Sequence, residues 1–230
     1  MIYPQFYWDP TMLLMIPGII IAIWAQSKVN RAYSTYSKMP VMSGITGREM
    51  ASRILYAHGL QHVQINAQQG VLSDNYNPIK KTLNLSQGNY AGRSVAAVAV
   101  AAHESGHAIQ HGAGYFPLRV RSLLAPVVSF ASYLLWPLLI FGMLLGYTNI
   151  INIVVWIFLG IFAFQVVTLP VEYNASRRAM AALAAQNLLT DEELFGARKM
   201  LSAAALTYVA ATLVALLNVL RFAMLSNRRR

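Results

Sequence analysis

The chain has no cysteine, which excludes a disulfide framework and any thiolate metal site and leaves the redox compartment unmarked. Charge is scarce: 11% of the 230 residues are charged, against 57% hydrophobic, and acidic residues number only eight. That balance is far from a soluble composition, so the apolar excess has to sit in lipid. Charge is absent altogether from two stretches, Arg121 to Glu172 and Lys199 to Arg221, each long enough to span a bilayer at about 20 residues per helix. No internal repeat and no low-complexity linker divides the chain, so residues 1–230 read as a single membrane domain.

The first uncharged stretch breaks at the polar, helix-weakening Gly146, Tyr147, Thr148 and Asn149 into spans over about 123–145 and 150–170. The pair forms a hairpin with a very short turn. The second stretch gives an Ala-rich span over about 203–220, and an N-terminal run over 12–24 makes a fourth. A secretory signal carries positive charge ahead of its apolar run. Here only Asp9 precedes it while Lys28, Arg31 and Lys38 follow, so it reads as a retained anchor. The expected architecture is a mainly α integral membrane protein of about four transmembrane helices with a small zincin-like α+β catalytic unit, formed by about 28–120 plus 171–200.

The net charge of +10 raises the question of nucleic acid. The basic residues flank apolar spans, however, and form no stripe interleaved with aromatics, so membrane topology explains them and a nucleic-acid partner is not expected. Segments 26–122 and 171–200 hold fourteen of the eighteen Lys and Arg, and such residues favour the cytoplasmic side. The reading is therefore a multi-pass protein of the cell membrane with both segments, and the site they carry, in the cytoplasm. Arg228, Arg229 and Arg230 then fall outside, against the same rule.

In the non-membrane part, Thr46 and Glu49 have capping-box spacing ahead of Met50, Ile54 and Leu55, predicting a helix from about Gly47 to His58. Alternation at Val63–Asn66 and Thr82–Ser86 predicts short strands. Ser73 to Pro78 reads as a turn-rich loop. A helix is expected from near Ser94 to about Gln110, ending at His111 and Gly112.

That helix contains His103-Glu104-Ser105-Gly106-His107, an HExxH pattern. Residues four apart share a helix face about 5–6 Å apart, so two imidazoles can bind one ion. Zinc suits imidazole and activates water, and Glu104 beside the ligands is placed to act as the general base. Chance would put these three residues at this spacing in only ~0.2% of chains of this composition, which favours the catalytic reading. Gly106 weakens the helix by about 1 kcal/mol, and its small size suits close approach of another backbone or of substrate.

Catalytic zinc takes three protein ligands and an open position. His111 shares the face, but lies about 12 Å from His103 along the axis, too far to join one ion. The metzincin continuation fails at Gln110 and Ala113. Glu172 is the better third ligand, because the hairpin returns the chain to the membrane face it left; it would sit in the first turn of a new helix running on through Ala179. Asp191, Glu192 and Glu193 instead read as the N-terminal charges of a helix after Thr190. His58 and His62 flank Gly59 with nothing nearby to complete a second metal site. Tyr173, Arg177 and Arg178 are candidate oxyanion stabilisers, although basic residues there also serve as topological determinants.

With the run Ala101 to Gln110, the Asp74–Pro78 loop, the Leu83–Ser86 strand and the Glu172–Ala179 segment, the chain resembles the YugP-type neutral zinc metallopeptidases of bacterial membranes over nearly its whole length. The resemblance implies a gluzincin-like site with one Zn2+ and Glu172 as third ligand, similar to the heat-shock-associated membrane proteases and prenyl-protein proteases. Those relatives usually place an Asp four residues after the ligand Glu to orient a zinc-bound His; here that position is Ser176. The resemblance also implies that the strand Thr82–Ser86 lies along the cleft, where an extended polypeptide substrate adds as a further strand.

The function expected is a zinc-dependent membrane endopeptidase acting on membrane-associated or misfolded proteins through a metal-activated water, with an adaptor protein or an oligomer left open. The alternative is a non-catalytic, zinc-stabilised membrane scaffold binding a partner protein, which would have no use for Glu104 as a base. A transporter is disfavoured, because the spans lack acidic residues at their centres. From the Lys and Arg asymmetry, cysteine-accessibility mapping should find Tyr90 and Ala185 on the cytoplasmic side and Asn149 on the other. Opposite sides for Tyr90 and Ala185 would exclude a shared metal site.

Overall fold

The computed structural model describes residues 10–70, 73–145 and 150–227. A 3-10 turn, Pro10–Met15, leads into α1 (Ile16–Tyr36), followed by α2 (Gly47–Ala57), β1 (Gln64–Gln68), β2 (Asn75–Asn77), β3 (Thr82–Ser86) and the short α3 (Gln87–Tyr90). The chain continues through α4 (Val95–Gly112), α5 (Phe116–Leu145), α6 (Ile150–Gln186) and α7 (Asp191–Asn227). The protein is a mainly α membrane protein with a small α+β unit: among the described residues four helical stretches are long and apolar enough to cross a bilayer, Pro10–Tyr36, Phe116–Gly142, Ile150–Gln186 and Asp191–Asn227. The hairpin turn expected at Gly146–Asn149, Asp9 and the C-terminal arginines lie outside the described residues.

Helices α6 and α7 each have 37 residues, about 55 Å at 1.5 Å per residue, against a hydrocarbon core of about 30 Å. Each therefore spans the membrane and still projects several turns beyond it. This corrects the expectation of a fresh helix at Pro170. The helix runs straight through Pro170, so Glu172 lies mid-helix and not in a first turn. Proline removes one backbone donor, but neighbouring groups hold the surrounding turns: Thr168 Oγ1 donates to Phe164 O at 2.8 Å and Gln110 Nε2 to Val171 O at 2.7 Å. Helix α7 starts at Asp191, where Thr190 and Glu193 exchange capping bonds: Thr190 N donates to Glu193 Oε2 at 2.8 Å and Glu193 N to Thr190 Oγ1 at 3.3 Å.

The capping box of α2 forms as its spacing predicts, with Thr46 N donating to Glu49 Oε2 and Glu49 N to Thr46 Oγ1. Met50, Ile54 and Leu55 on one α2 face meet the fully buried Leu83 and Leu85 of β3, together with Val95 and Val98 of α4. Each such side chain contributes about 1.5–3 kcal/mol by leaving water. The sheet order is β1-β3-β2, with β1 parallel and β2 antiparallel to β3. Two expectations change here. Residues 75–77 form an edge strand within the segment read as loop, tied down by Asp74, which accepts from Ser86 N at 2.7 Å and Asn89 Nδ2 at 2.9 Å. The central strand is β3, paired with β1 along Thr82–Ser86 and with β2 over Thr82–Asn84, so the open edge on that side of the sheet belongs to β2.

Helix α4 is buried almost all round, and its alanines let neighbours come close. At Gly106 a Cβ would stand 2.5 Å from Ala175 O of α6, so the close approach suggested by this glycine is made by another backbone. Gly106→Ala should push α4 and α6 apart and, despite its better helix propensity, destabilise the fold by about 1–3 kcal/mol. Thermal unfolding in detergent measures this; an unchanged midpoint would show that the contact is not tight.

Candidate metal centre

Ser94 caps α4, accepting from Ala97 N at 3.2 Å, and three turns later the helix presents His103 and His107 side by side. Their rings lie edge to face with centroids 4.8 Å apart. Both Nε2 atoms approach one oxygen of Glu172 on α6, at 3.2 Å from His103 and 3.5 Å from His107. The three side chains form the one group of His, Asp or Glu able to hold a metal ion among the described residues, and Glu172 is buried.

The far sides of the rings decide what the near sides can be. Gln110 Nε2 donates to Val171 O at 2.7 Å and to Asn174 Oδ1 at 3.0 Å, both acceptors, so its other end is the oxygen. That oxygen lies 3.0 Å from His107 Nδ1 and can only accept, so Nδ1 carries a proton and Nε2 is the ring nitrogen left to meet the Glu172 carboxylate. Two acceptors facing each other call for a cation or a proton between them. His103 Nδ1 is held by Ser176 Oγ at 3.2 Å, so serine stands where the resemblance leads one to expect aspartate. The N···O separations match the roughly 3.4 Å edge of a tetrahedron with bonds of about 2.1 Å, and two imidazoles with one carboxylate are a donor set that zinc accepts.

The second oxygen of Glu172 pairs with Arg121 Nη2 at 3.2 Å. Glu104 is buried beside the two histidines and lines the same cleft of about 330 Å³. Burial pushes its carboxyl up to about 7; the nearby carboxylates of Glu172 and Asp74 add to the rise, while His103 and Arg121 oppose it. The cleft is closed by Val29 and Tyr33 of α1, by Asp74, Asn75 and Tyr76 at the edge strand, and by Tyr208 of α7.

His111 stays apart, as the rise of the helix requires: its Nδ1 is 2.8 Å from Tyr76 Oη. Burial, then the nearby cations Lys81 and Arg119, disfavour its charged form. His58 Nδ1 binds Ile54 O of its own helix at 2.8 Å. Tyr173 and Arg177 are exposed and Arg178 donates to Asn174 Oδ1 at 2.8 Å; none of the three lines the cleft. Sequence reasoning missed Gln110, Arg121 and Tyr208. Gln110 lies one turn past His107, Arg121 is the last charge before the uncharged stretch, and Tyr208 is a phenol in an Ala-rich span, signals that gain meaning only once a ligand set is known.

Fold and site together define a polytopic helical membrane protein with a His-His-Glu centre between an HExxH helix, α4, and α6. The sequence model of a family described as "Putative neutral zinc metallopeptidase" matches residues 11–227. The chain is 44% identical over 214 residues, covering 93% of its length and 95% of the relative's, to the Bacillus subtilis (strain 168) protein named "Putative membrane protease YugP". The chain belongs to this family, and no solved structure matches it.

Gln110→Leu removes the acceptor that sets the His107 tautomer together with both bonds to α6. Zinc affinity should fall about 10- to 100-fold, as for other losses of ligand-orienting partners. Competition against a chelating dye reads the change, and wild-type affinity would show that Gln110 does not orient the ligand.

Proposed function

We propose that the chain is a zinc-dependent membrane endopeptidase in which His103, His107 and Glu172 hold one ion and Glu104 is the general base. The observation that carries this reading is the convergence of His103 Nε2 and His107 Nε2 on one oxygen of Glu172, at 3.2 and 3.5 Å, an arrangement that a cation satisfies. When bound, zinc supplies Lewis acidity, polarising a peptide carbonyl and making water nucleophilic near neutral pH. Glu104 then takes a proton from the attacking water and delivers it to the departing amine. Gln110 and Ser176 keep both imidazoles aimed, and Arg121 holds the second oxygen of Glu172.

Polypeptide substrates pair with the edge strand β2 in this reading, since Asn75 and Tyr76 line the cleft and β3 is already paired on both sides. Main-chain pairing of this kind binds extended peptides with little regard to sequence, which suits membrane-associated or misfolded proteins. In this reading the cleft faces the cytoplasm close to the bilayer, which the Lys and Arg distribution favours.

Glu104→Gln should retain zinc and the fold while turnover of a casein or peptide substrate falls at least about a hundredfold. His103→Ala should lose the metal as well. A scaffold protein would show no turnover to lose, and undiminished turnover in Glu104→Gln would remove the proposed base.

A further inference from the structure

The turn between β2 and β3 has no part in the metal centre, yet it has an unusual surface. Ile79 at its tip is 90% exposed, and Lys80 and Lys81 follow it directly. The tip is held in shape: Asn77 Oδ1 accepts from Ile79 N at 3.0 Å and from Lys80 N at 2.9 Å, and Lys81 adopts a left-handed backbone with φ 52°. A rigid turn that presents an isoleucine to solvent beside two cations pairs an apolar contact with a charge of one sign.

Its position in the fold indicates what it meets. Tyr76, just before the turn, hydrogen-bonds His111 at the end of α4, and five residues after His111 Phe116 begins α5, a candidate membrane span. Lys81 and Arg119, the latter in the first turn of α5, both lie close enough to His111 to disfavour its charged form, so the turn stands beside the start of that candidate span. Phe116 is 74% exposed, and the exposed Leu123, Val127 and Phe130 continue from it along α5. No acidic residue occurs in 75–103 or 105–171, and Asp74 is engaged by Ser86 and Asn89.

We propose that the β2–β3 turn, Ile79 with Lys80 and Lys81, is a lipid-binding element that seats in the headgroup layer of an anionic bilayer. Ile79 enters the apolar boundary while the lysines meet anionic phospholipid headgroups. The surface is continuous with the lipid-facing side of α5 and complementary in charge to such a membrane. Its consequence is that β2, the edge strand of the cleft, is tethered at the bilayer surface, where chain emerging from the membrane is presented.

The cysteine-free chain makes the test direct. A single cysteine at Ile79→Cys in the full-length protein, labelled with a polarity-sensitive fluorophore, is compared in nanodiscs of phosphatidylcholine alone and of phosphatidylcholine mixed with phosphatidylglycerol. The same label at Met42→Cys, 84% exposed beside the start of α7, controls for the dye's own affinity for lipid. In the anionic discs the Ile79 label should be quenched by lipid nitroxides placed near the headgroup and protected from iodide, with the reverse at Met42. Lys80→Gln with Lys81→Gln should reduce the seated population, by about fivefold per lysine. An Ile79 label that behaves like the Met42 label in both discs overturns the proposal, as does protection that ignores both phosphatidylglycerol and the lysine changes. So does a label that leaves water only when an acidic peptide is added, which would mark a polypeptide docking site instead. None of these readouts depends on zinc or on peptide cleavage.

Discussion

The metal centre depends on how closely α4 and α6 can approach. Imidazole and carboxylate side chains reach only a few ångströms from their backbones, so two helices can share an ion only when their axes come close. Gly106 allows this by leaving Ala175 O in the space where a Cβ would stand. The contact lies between His103 and His107 on one helix and between Glu172 and Ser176 on the other. The residue that costs α4 helix propensity is thus the one that brings the ligand oxygen within 3.2–3.5 Å of both imidazoles.

Around this crossing the chain reconciles two solvents. In the bilayer, α5 and the first half of α6 turn large apolar side chains outward to lipid, including Phe130, Trp136 and Trp156. Beyond it, the second half of α6 and the first half of α7 bury alanines and leucines against α4, and α6 also meets α2. An unbroken helix through Pro170 joins the regimes, so the ligand carboxylate is carried on a rigid rod anchored in the membrane and not on a loop. A loop would add conformational freedom that ordering the site would have to overcome.

The polar groups around the His-His-Glu site form a directed network. Gln110 reads the backbone of α6 at Val171 and, through its oxygen, dictates the proton position on His107. Arg121, at the mouth of the uncharged stretch, holds the other oxygen of Glu172. Arg121 already balances the charge of the buried Glu172 carboxylate, so the two imidazole nitrogens that face its other oxygen call for a cation or a proton between acceptors, which is why metal chemistry suits this cluster.

The sequence by itself determined the membrane class, the α2 capping box, the Ser94 start of α4, the paired histidines with Glu104, and Glu172 as their partner across a hairpin. These are matters of local spacing, charge and topology, and local chemistry enforces them. Tertiary structure alone decided the rest. Proline within α6 reads as a boundary by propensity, yet packing from α4 and the membrane-anchored length of the helix carry it through. The strand Asn75–Asn77 is three residues long and too polar to show alternation; pairing with β3 and the grip of Asp74 create it. Strand order, which moves the open edge from β3 to β2, depends on contacts between segments that no single window of residues contains. Ser176, Gln110, Arg121 and Tyr208 acquire their places for the same reason: each is chosen by a neighbour far away in sequence, whose position exists only once the helices have packed.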